Sequence, residues 1–213
     1  MMKKVLIALV AVIAVLLVVI ATRPSTFQVE RSATIAAPAD VVFASLNDFH
    51  RWSEWSPWDK IDPNMKRTFE GAASGVGAIY GWTGNDEVGE GRMTITESKP
   101  GEKIGIKLEF IKPWSATNQT VFTLKPAGDK VSVTWTMSGT NGFTMKAFSM
   151  FMNMDEMVGK DFEKGLASLA TVAQAEAKKQ QEEAAKAAEM AKAEEAAPAE
   201  GAAPAAAAPA AHP

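Results

Sequence analysis

The feature of this sequence that most constrains its fold is a period-two alternation recurring between residues 26 and 137. In TFQVERSATIAA (26–37) the apolar residues Phe27, Val29, Ala33 and Ile35 share one parity. Met93 and Ile95 do so in GRMTITES, and Ile104, Ile106, Leu108 and Phe110 in EKIGIKLEFI. Phe122 and Leu124 follow in NQTVFTLK, then Val131, Val133, Trp135 and Met137 in KVSVTWTM. Lysine, threonine, glutamate and serine hold the opposite parity. Each run is therefore a strand with one face on a core and the other in water, as in antiparallel sheets. The turn sequences TGND (83–86), KPGE (99–102), KPW (112–114) and PAGD (126–129) separate the runs, so consecutive strands pair as a meander.

Helical spacing interrupts this pattern twice. APADVVFASLNDFHRWSEW follows the first strand, with Pro38 near a helix start and Val41, Val42, Phe43 and Leu46 on its buried side. After the last strand, Met154, Val158, Phe162, Leu166 and Leu169 recur at helical spacing. The expected architecture is α+β: a curved antiparallel sheet of about seven strands wrapped around a long C-terminal helix, with two short helices after the first strand.

Both ends of the chain differ from this domain. Lys3 and Lys4 precede an apolar run from Val5 to Ala21, closed by Arg23-Pro24. At about 1.5 Å per residue the run spans roughly 26 Å, slightly less than a hydrocarbon core, and flanking cations can snorkel to cover the difference. A cleaved secretory signal is the rival reading, with Val19 and Ala21 as a weak cleavage site. The expectation adopted is a retained anchor over residues 1–23, crossing the membrane through residues 5–21. The paired lysines favour a cytoplasmic N-terminus, although Arg23 and Arg31 weaken that bias. This places the domain, residues 24–173, on the extracytoplasmic side of a single-pass membrane protein. Residues 174–213 form the third part. Up to Ala197 alanine, glutamate, lysine and glutamine favour a solvated helix, with Glu182 and Lys186 as an i,i+4 pair; beyond Pro198 the Pro/Ala composition reads as a disordered spacer. A protein partner for this tail is the alternative.

Composition removes many chemistries. The 213 residues include no cysteine, which excludes disulfides, a thiol nucleophile, iron–sulfur clusters and cysteine-based zinc sites. The two histidines, His50 and His212, lie too far apart in the organisation above to cooperate, so neither a histidine metal site nor a Ser/His/Asp triad is supported. SGVGAIYG (74–81) leads into a strand rather than a helix and is no phosphate cradle. A net charge of −3 without a basic stripe speaks against nucleic acid. No catalytic residue, metal or cofactor is expected, and Asp59 and Asp62 read as turn residues.

The densest aromatic stretch is WSEWSPW (52–58). Its letters match cytokine-receptor and thrombospondin-type patterns, but those modules depend on disulfides that a cysteine-free chain cannot make. Pro57 pushes Ser56 out of helical geometry, so a short helix stops near Trp55, with Trp52 and Trp55 on one face and Trp58 in the following loop. A second distinctive stretch, GFTMKAFSMFMNMDEM (142–157), interleaves Met145, Met150, Met152, Met154 and Met157 with Phe143, Phe148 and Phe151. Methionine suits surfaces that adapt to varied apolar shapes. The stretch is either ordinary core or a membrane-apposed lip. Arg31 and Arg67 share parity with apolar neighbours, as do Asn118 and Thr120 with Phe122, and Tyr80 with Trp82. A buried arginine needs an anionic or carbonyl partner, either a protein carboxylate or a ligand head group.

This order of elements, together with WSEWSPWDKIDPNM, VGEGRMTITES, VTWTMSG and GKDFEKGLASL, resembles the START-like (SRPBCC) superfamily, closest to its membrane-anchored bacterial polyketide cyclase/dehydrase and lipid-transport members. The resemblance covers roughly residues 26–173. It implies a helix-grip fold, in which the sheet wraps the C-terminal helix around an internal apolar cavity. On that reading the tryptophans plug the cavity wall or touch ligand. The candidate cavity residues are Trp52, Trp55, Arg67, Tyr80, Phe110, Asn118, Phe122, Trp135, Met137, Met150 and Met154. The expected function is binding of an apolar or amphipathic small molecule at a membrane. Alternatives are a cyclase- or dehydratase-like enzyme using Tyr80 or an inward arginine, and an envelope interaction protein without ligand. The short tether between Ala21 and Thr26 holds the domain against the bilayer.

Overall fold

The computed structural model describes residues 2–151 and 153–196. Met152 and the tail from residue 197, including the expected Pro/Ala spacer and His212, lie outside the described residues. Helix α1 (Met2–Thr22) is followed by β1 (Thr26–Ile35), α2 (Ala39–Asn47) and α3 (Trp52–Trp55). Strands β2 (Lys66–Gly71), β3 (Ala78–Thr83), β4 (Glu90–Lys99), β5 (Lys103–Lys112), β6 (Ala116–Ala127) and β7 (Lys130–Thr140) come next, then α4 (Phe143–Phe148) and α5 (Met154–Ala196).

The seven strands form one antiparallel sheet in the order β1-β7-β6-β5-β4-β3-β2. The meander follows from the short turns, and β1 returns to pair β7 because α2 and α3 carry the chain across to the far edge. Phe162, Leu166 and Leu169 of α5 are buried among Val29, Phe122, Val133 and Trp135 of the sheet. This is the helix-grip arrangement that the resemblance implies. Two glycines allow the close approach of α5. A Cβ on Gly165 would come within 2.8 Å of the Trp135 ring, and one on Gly159 would collide with the Arg31 guanidinium.

The alternation breaks down in two places, for physical reasons. A register shift between Ile95 and Glu97 reverses the parity of β4. It turns Ser98 inward, where its hydroxyl meets Asn47 Oδ1 at 2.8 Å, and leaves Glu97 on the outer face bound to Lys103 at 2.7 Å. The second place is β2, whose inward parity does not bury it: Phe69 is 41% exposed, because β2 is the sheet's edge strand.

Helix α1 has a mean hydropathy of 3.4 and only Ile20 is buried, so it is long and apolar enough to cross a membrane; a signal sequence has the same character. Its last turn packs beside α4, where Lys146 Nζ donates to the Ala21 carbonyl at 3.4 Å. From Lys178 the rest of α5 is a separate unit, with side chains exposed as far as Ala193. Glu182 there pairs backward with Lys178 at 3.8 Å, rather than forward with Lys186 as the spacing suggested.

Candidate functional site

The tryptophan heptapeptide closes the gutter between sheet and helix. Ser56 is extended (φ −61°, ψ 128°), which ends α3 at Trp55. Trp52 and Trp55 are buried on one face with ring centroids 4.8 Å apart. Each indole N–H finds a carbonyl of the last turn of α2 rather than of a loop: Trp52 Nε1 donates to Leu46 O at 3.1 Å and Trp55 Nε1 to Ser45 O at 3.3 Å. Such pairing removes the cost of burying a polar indole and fixes ring orientation.

These rings join a larger cluster centred on Trp135. Phe122 lies 4.8 Å from it, Trp55 and Trp58 each 5.7 Å, and Phe162 of α5 stacks on it at 4.0 Å and 7°. The chain of rings continues through Phe49 to Tyr80 (5.9 Å) and from Trp82 to Phe110 (6.0 Å). The rings occupy the space between sheet and helix. One polar atom among them is unmatched: Trp135 Nε1 is the buried side-chain donor without an acceptor among the described residues.

The two inward arginines both meet protein carboxylates. Arg31 donates to Glu163 Oε1 at 2.8 Å and Asp155 Oδ1 at 3.0 Å, clamping β1 to the start of α5. That hydrogen bond holds the Asp155 carboxyl below its ordinary range. Arg67 donates to the carboxylate of Asp59 and to its main-chain carbonyl, the latter at 3.2 Å. Asp59 is therefore more than the turn residue its sequence context suggested, whereas Asp62 does cap a turn, accepting from the main-chain N–H groups of Asn64 and Asn85. Tyr80 is buried beside this pair. Desolvation foremost, with the Asp59 charge adding and Arg67 opposing, pushes its phenol up to about 12.

The remaining candidates scatter. Asn118 and Thr120 are buried as their parity requires, and Asn118 Nδ2 reaches the Met137 sulfur at 4.0 Å. Phe110 is half-buried near the end of β5. In the methionine stretch no described residue of 142–157 is fully buried, although Met154 packs against the edge of the core. Met150 and Met154 instead line an open depression of about 510 Å³ with Arg23, Phe27 and Phe151. A wider depression of about 780 Å³ reaches the outer face of the sheet, lined by Gln28, Lys107, Gln119 and Ser138 among others. Neither is lined by Trp52, Trp55, Phe122 or Trp135. The structure thus gathers Trp52, Trp55, Phe122 and Trp135 into one cluster, links Tyr80 and Phe110 to it through intervening rings, and leaves Arg67, Met150 and Met154 outside it. Sequence reasoning missed Phe162 as the ring stacked on Trp135, and Trp114 as an exposed aromatic; its place in the KPW turn, outside any strand, was the available signal.

Solved structures share this fold. A protein of Thermobifida fusca superimposes with a TM-score of 0.51 at 21% identity, covering 67% of this chain and 90% of its own. A protein of Chromobacterium violaceum does so with a TM-score of 0.50 at 17% identity, covering 71% and 98%. At such identities the likeness speaks for the fold alone. No curated protein sequence matches the chain. The sequence of residues 26–174, most of the chain, matches a family as a whole. By that match, the chain belongs to the polyketide cyclase / dehydrase and lipid transport family.

Proposed function

We propose that this protein binds an apolar or amphipathic small molecule between its sheet and α5, at a membrane surface to which α1 anchors it. The site would be walled by Trp52, Trp55, Phe122 and Trp135, with Met150 and Met154 at its outer approach and the domain on the extracytoplasmic side of a bacterial inner membrane. The observation that carries the reading is the unmatched Trp135 N–H inside a wall of rings. A buried donor without an acceptor costs about 1–3 kcal/mol, and native structures seldom leave one so. An apolar body bearing one acceptor oxygen, such as an ester, ketone or hydroxyl, would satisfy it. Phe162 stacks on the same ring, so occupancy requires this side of α5 to swing outward.

The enzyme alternative is less well supported. A general acid works best with a pKa near ambient pH, whereas the Tyr80 phenol is held at about 12 and Arg67 is already engaged by Asp59. The test is native mass spectrometry of the full chain released from membranes in mild detergent. A bound lipid-like mass is expected. Trp135→Phe keeps a ring and removes the N–H, so it should weaken recapture of that molecule about 2–12-fold, the value of one hydrogen bond of about 0.5–1.5 kcal/mol. A chain that carries no such mass and takes up none from added lipid extract would leave the ligand-free interaction protein as the better reading.

A further inference from the structure

Apart from Phe69 on the edge strand β2, the exposed aromatic residues of the domain lie in two segments, the β5–β6 turn and the α4 region. Trp114, in the turn between β5 and β6, is 66% exposed, and its ring lies 6.1 Å from Phe148 of α4, itself 45% exposed. Phe143 (54%) and Phe151 (84%) flank Phe148 in the chain, and Ile111 (48%) precedes Trp114. An apolar group of this kind, drawn from two separate segments, marks an interaction surface more often than chance exposure.

Its position in the fold says what the surface meets. The pairings Phe27↔Gly139, Asn118↔Gly139 and Leu108↔Asn118 bring the start of β1, the end of β7, the start of β6 and the end of β5 to the same end of the sheet. That is the end from which α1 departs. Asn141 N donates to Ser25 O at 2.8 Å and Lys146 Nζ to the Ala21 carbonyl at 3.4 Å, so α4 is held to the foot of α1. Arg23 and Lys146 stand at this level, and neither has a carboxylate partner among the described residues. Tryptophan and phenylalanine with neighbouring cations, at the end of an apolar helix, form the composition favoured where acyl chains meet phosphates.

We infer that Trp114, Phe143, Phe148 and Phe151 make a second membrane contact, seating the α4 end of the domain in the headgroup layer of the leaflet that α1 leaves. The inference rests on α1 being a retained anchor. It adds that the domain is fixed in orientation on the bilayer, rather than hanging from a tether, and that its occupant is a lipid surface.

The absence of native cysteine allows a direct test with the full chain. Spin labels are placed singly by Val12→Cys in α1, Ser115→Cys beside Trp114, Thr144→Cys in α4, and Asp129→Cys at the opposite end of the sheet. Each variant is reconstituted into phosphatidylethanolamine–phosphatidylglycerol vesicles, and collision with oxygen is compared with collision with a water-soluble nickel chelate. The oxygen-to-nickel ratio at positions 12, 115 and 144 is expected to exceed that at 129 several-fold. Combining Trp114→Ser, Phe148→Ser and Phe151→Ser should bring the ratio at 144 down to that at 129 while far-ultraviolet circular dichroism stays unchanged. A lipid-facing label at 12 with water-facing labels at 115 and 144 overturns this inference and leaves the anchor standing. A water-facing label at 12 overturns both. Labels at 115 and 144 shielded from oxygen and nickel alike would indicate a protein partner and equally overturn it.

Discussion

The rings around Trp135 and the rings around Phe148 are built from the same residue types and have opposite fates. Trp55, Phe122 and Phe162 are fully buried, enclosed by the sheet on one side and α5 on the other. Phe143, Phe148 and Phe151 project from a short helix and the turn after it and remain exposed among the described residues. Burial here is a property of what covers a residue rather than of the residue. If α1 is the retained anchor proposed above, an apolar side chain that the fold leaves uncovered at its foot has the bilayer as its alternative cover. The first cluster then bears on stability, and the second on where the protein sits and what it meets.

The largest expected effect tests the interior side of this contrast. Trp135→Ala removes the ring on which Trp55, Trp58, Phe122 and Phe162 converge, and it should lower unfolding stability by about 3–5 kcal/mol, read from a denaturant midpoint. A loss well below that range would mean that the cluster collapses onto the vacancy or that the interior is looser than its ring contacts imply.

A smaller, pH-limited effect follows from Tyr80. Its folded-state pKa, about 12, lies above the ordinary tyrosine value of 10.0. The native state therefore holds the proton more tightly, and its contribution is complete below about pH 10 and lost as pH rises toward 12, by up to about 3 kcal/mol. Tyr80→Phe should abolish this alkaline fall in the stability profile while leaving the Arg67–Asp59 pair in place. An identical alkaline limb in the variant would assign the fall to other groups, such as the lysines.

Much of the fold is legible in the sequence because one-sided burial writes itself into a strand as parity. The runs containing Val29, Ile106, Phe122 and Val133 all faced the core as read, and α5 followed from Phe162, Leu166 and Leu169. Parity was a poor guide where cover ends. Phe69 sits on the inward parity of an edge strand and is exposed, and the bulge after Ile95 reverses β4 without any mark in the sequence. The arginines were legible as residues in need of partners, but not which partners. Asp59 looked like a turn residue because its neighbours Pro57 and Asp62 are turn chemistry, and only the fold brings Arg67 to it. The ring cluster was half legible: Trp52 and Trp55 declared a shared face through their spacing, whereas the stacking of Phe162 on Trp135 joins a helix to a strand that no local pattern connects.

The smallest effect on stability is expected at the exposed side of the contrast, and there the consequence should be functional. Met150 and Met154 are half-buried and line the open depression beside Arg23 and Phe27, with Met154 also touching the edge of the core. Met150→Glu combined with Met154→Glu replaces soft apolar surface with charge that can still reach water, so the stability loss should be about 1–2 kcal/mol, with most of it from position 154. Uptake of a lipid-like molecule from vesicles should fall more steeply, because an apolar body passing that point would strip water from the carboxylates. The paired measurement is decisive. If the double variant unfolds as readily as Trp135→Ala, the methionines belong to the core and the two clusters are one. If it stays folded and takes up lipid as before, the approach to the interior lies elsewhere, and the apolar character of this end serves the bilayer alone.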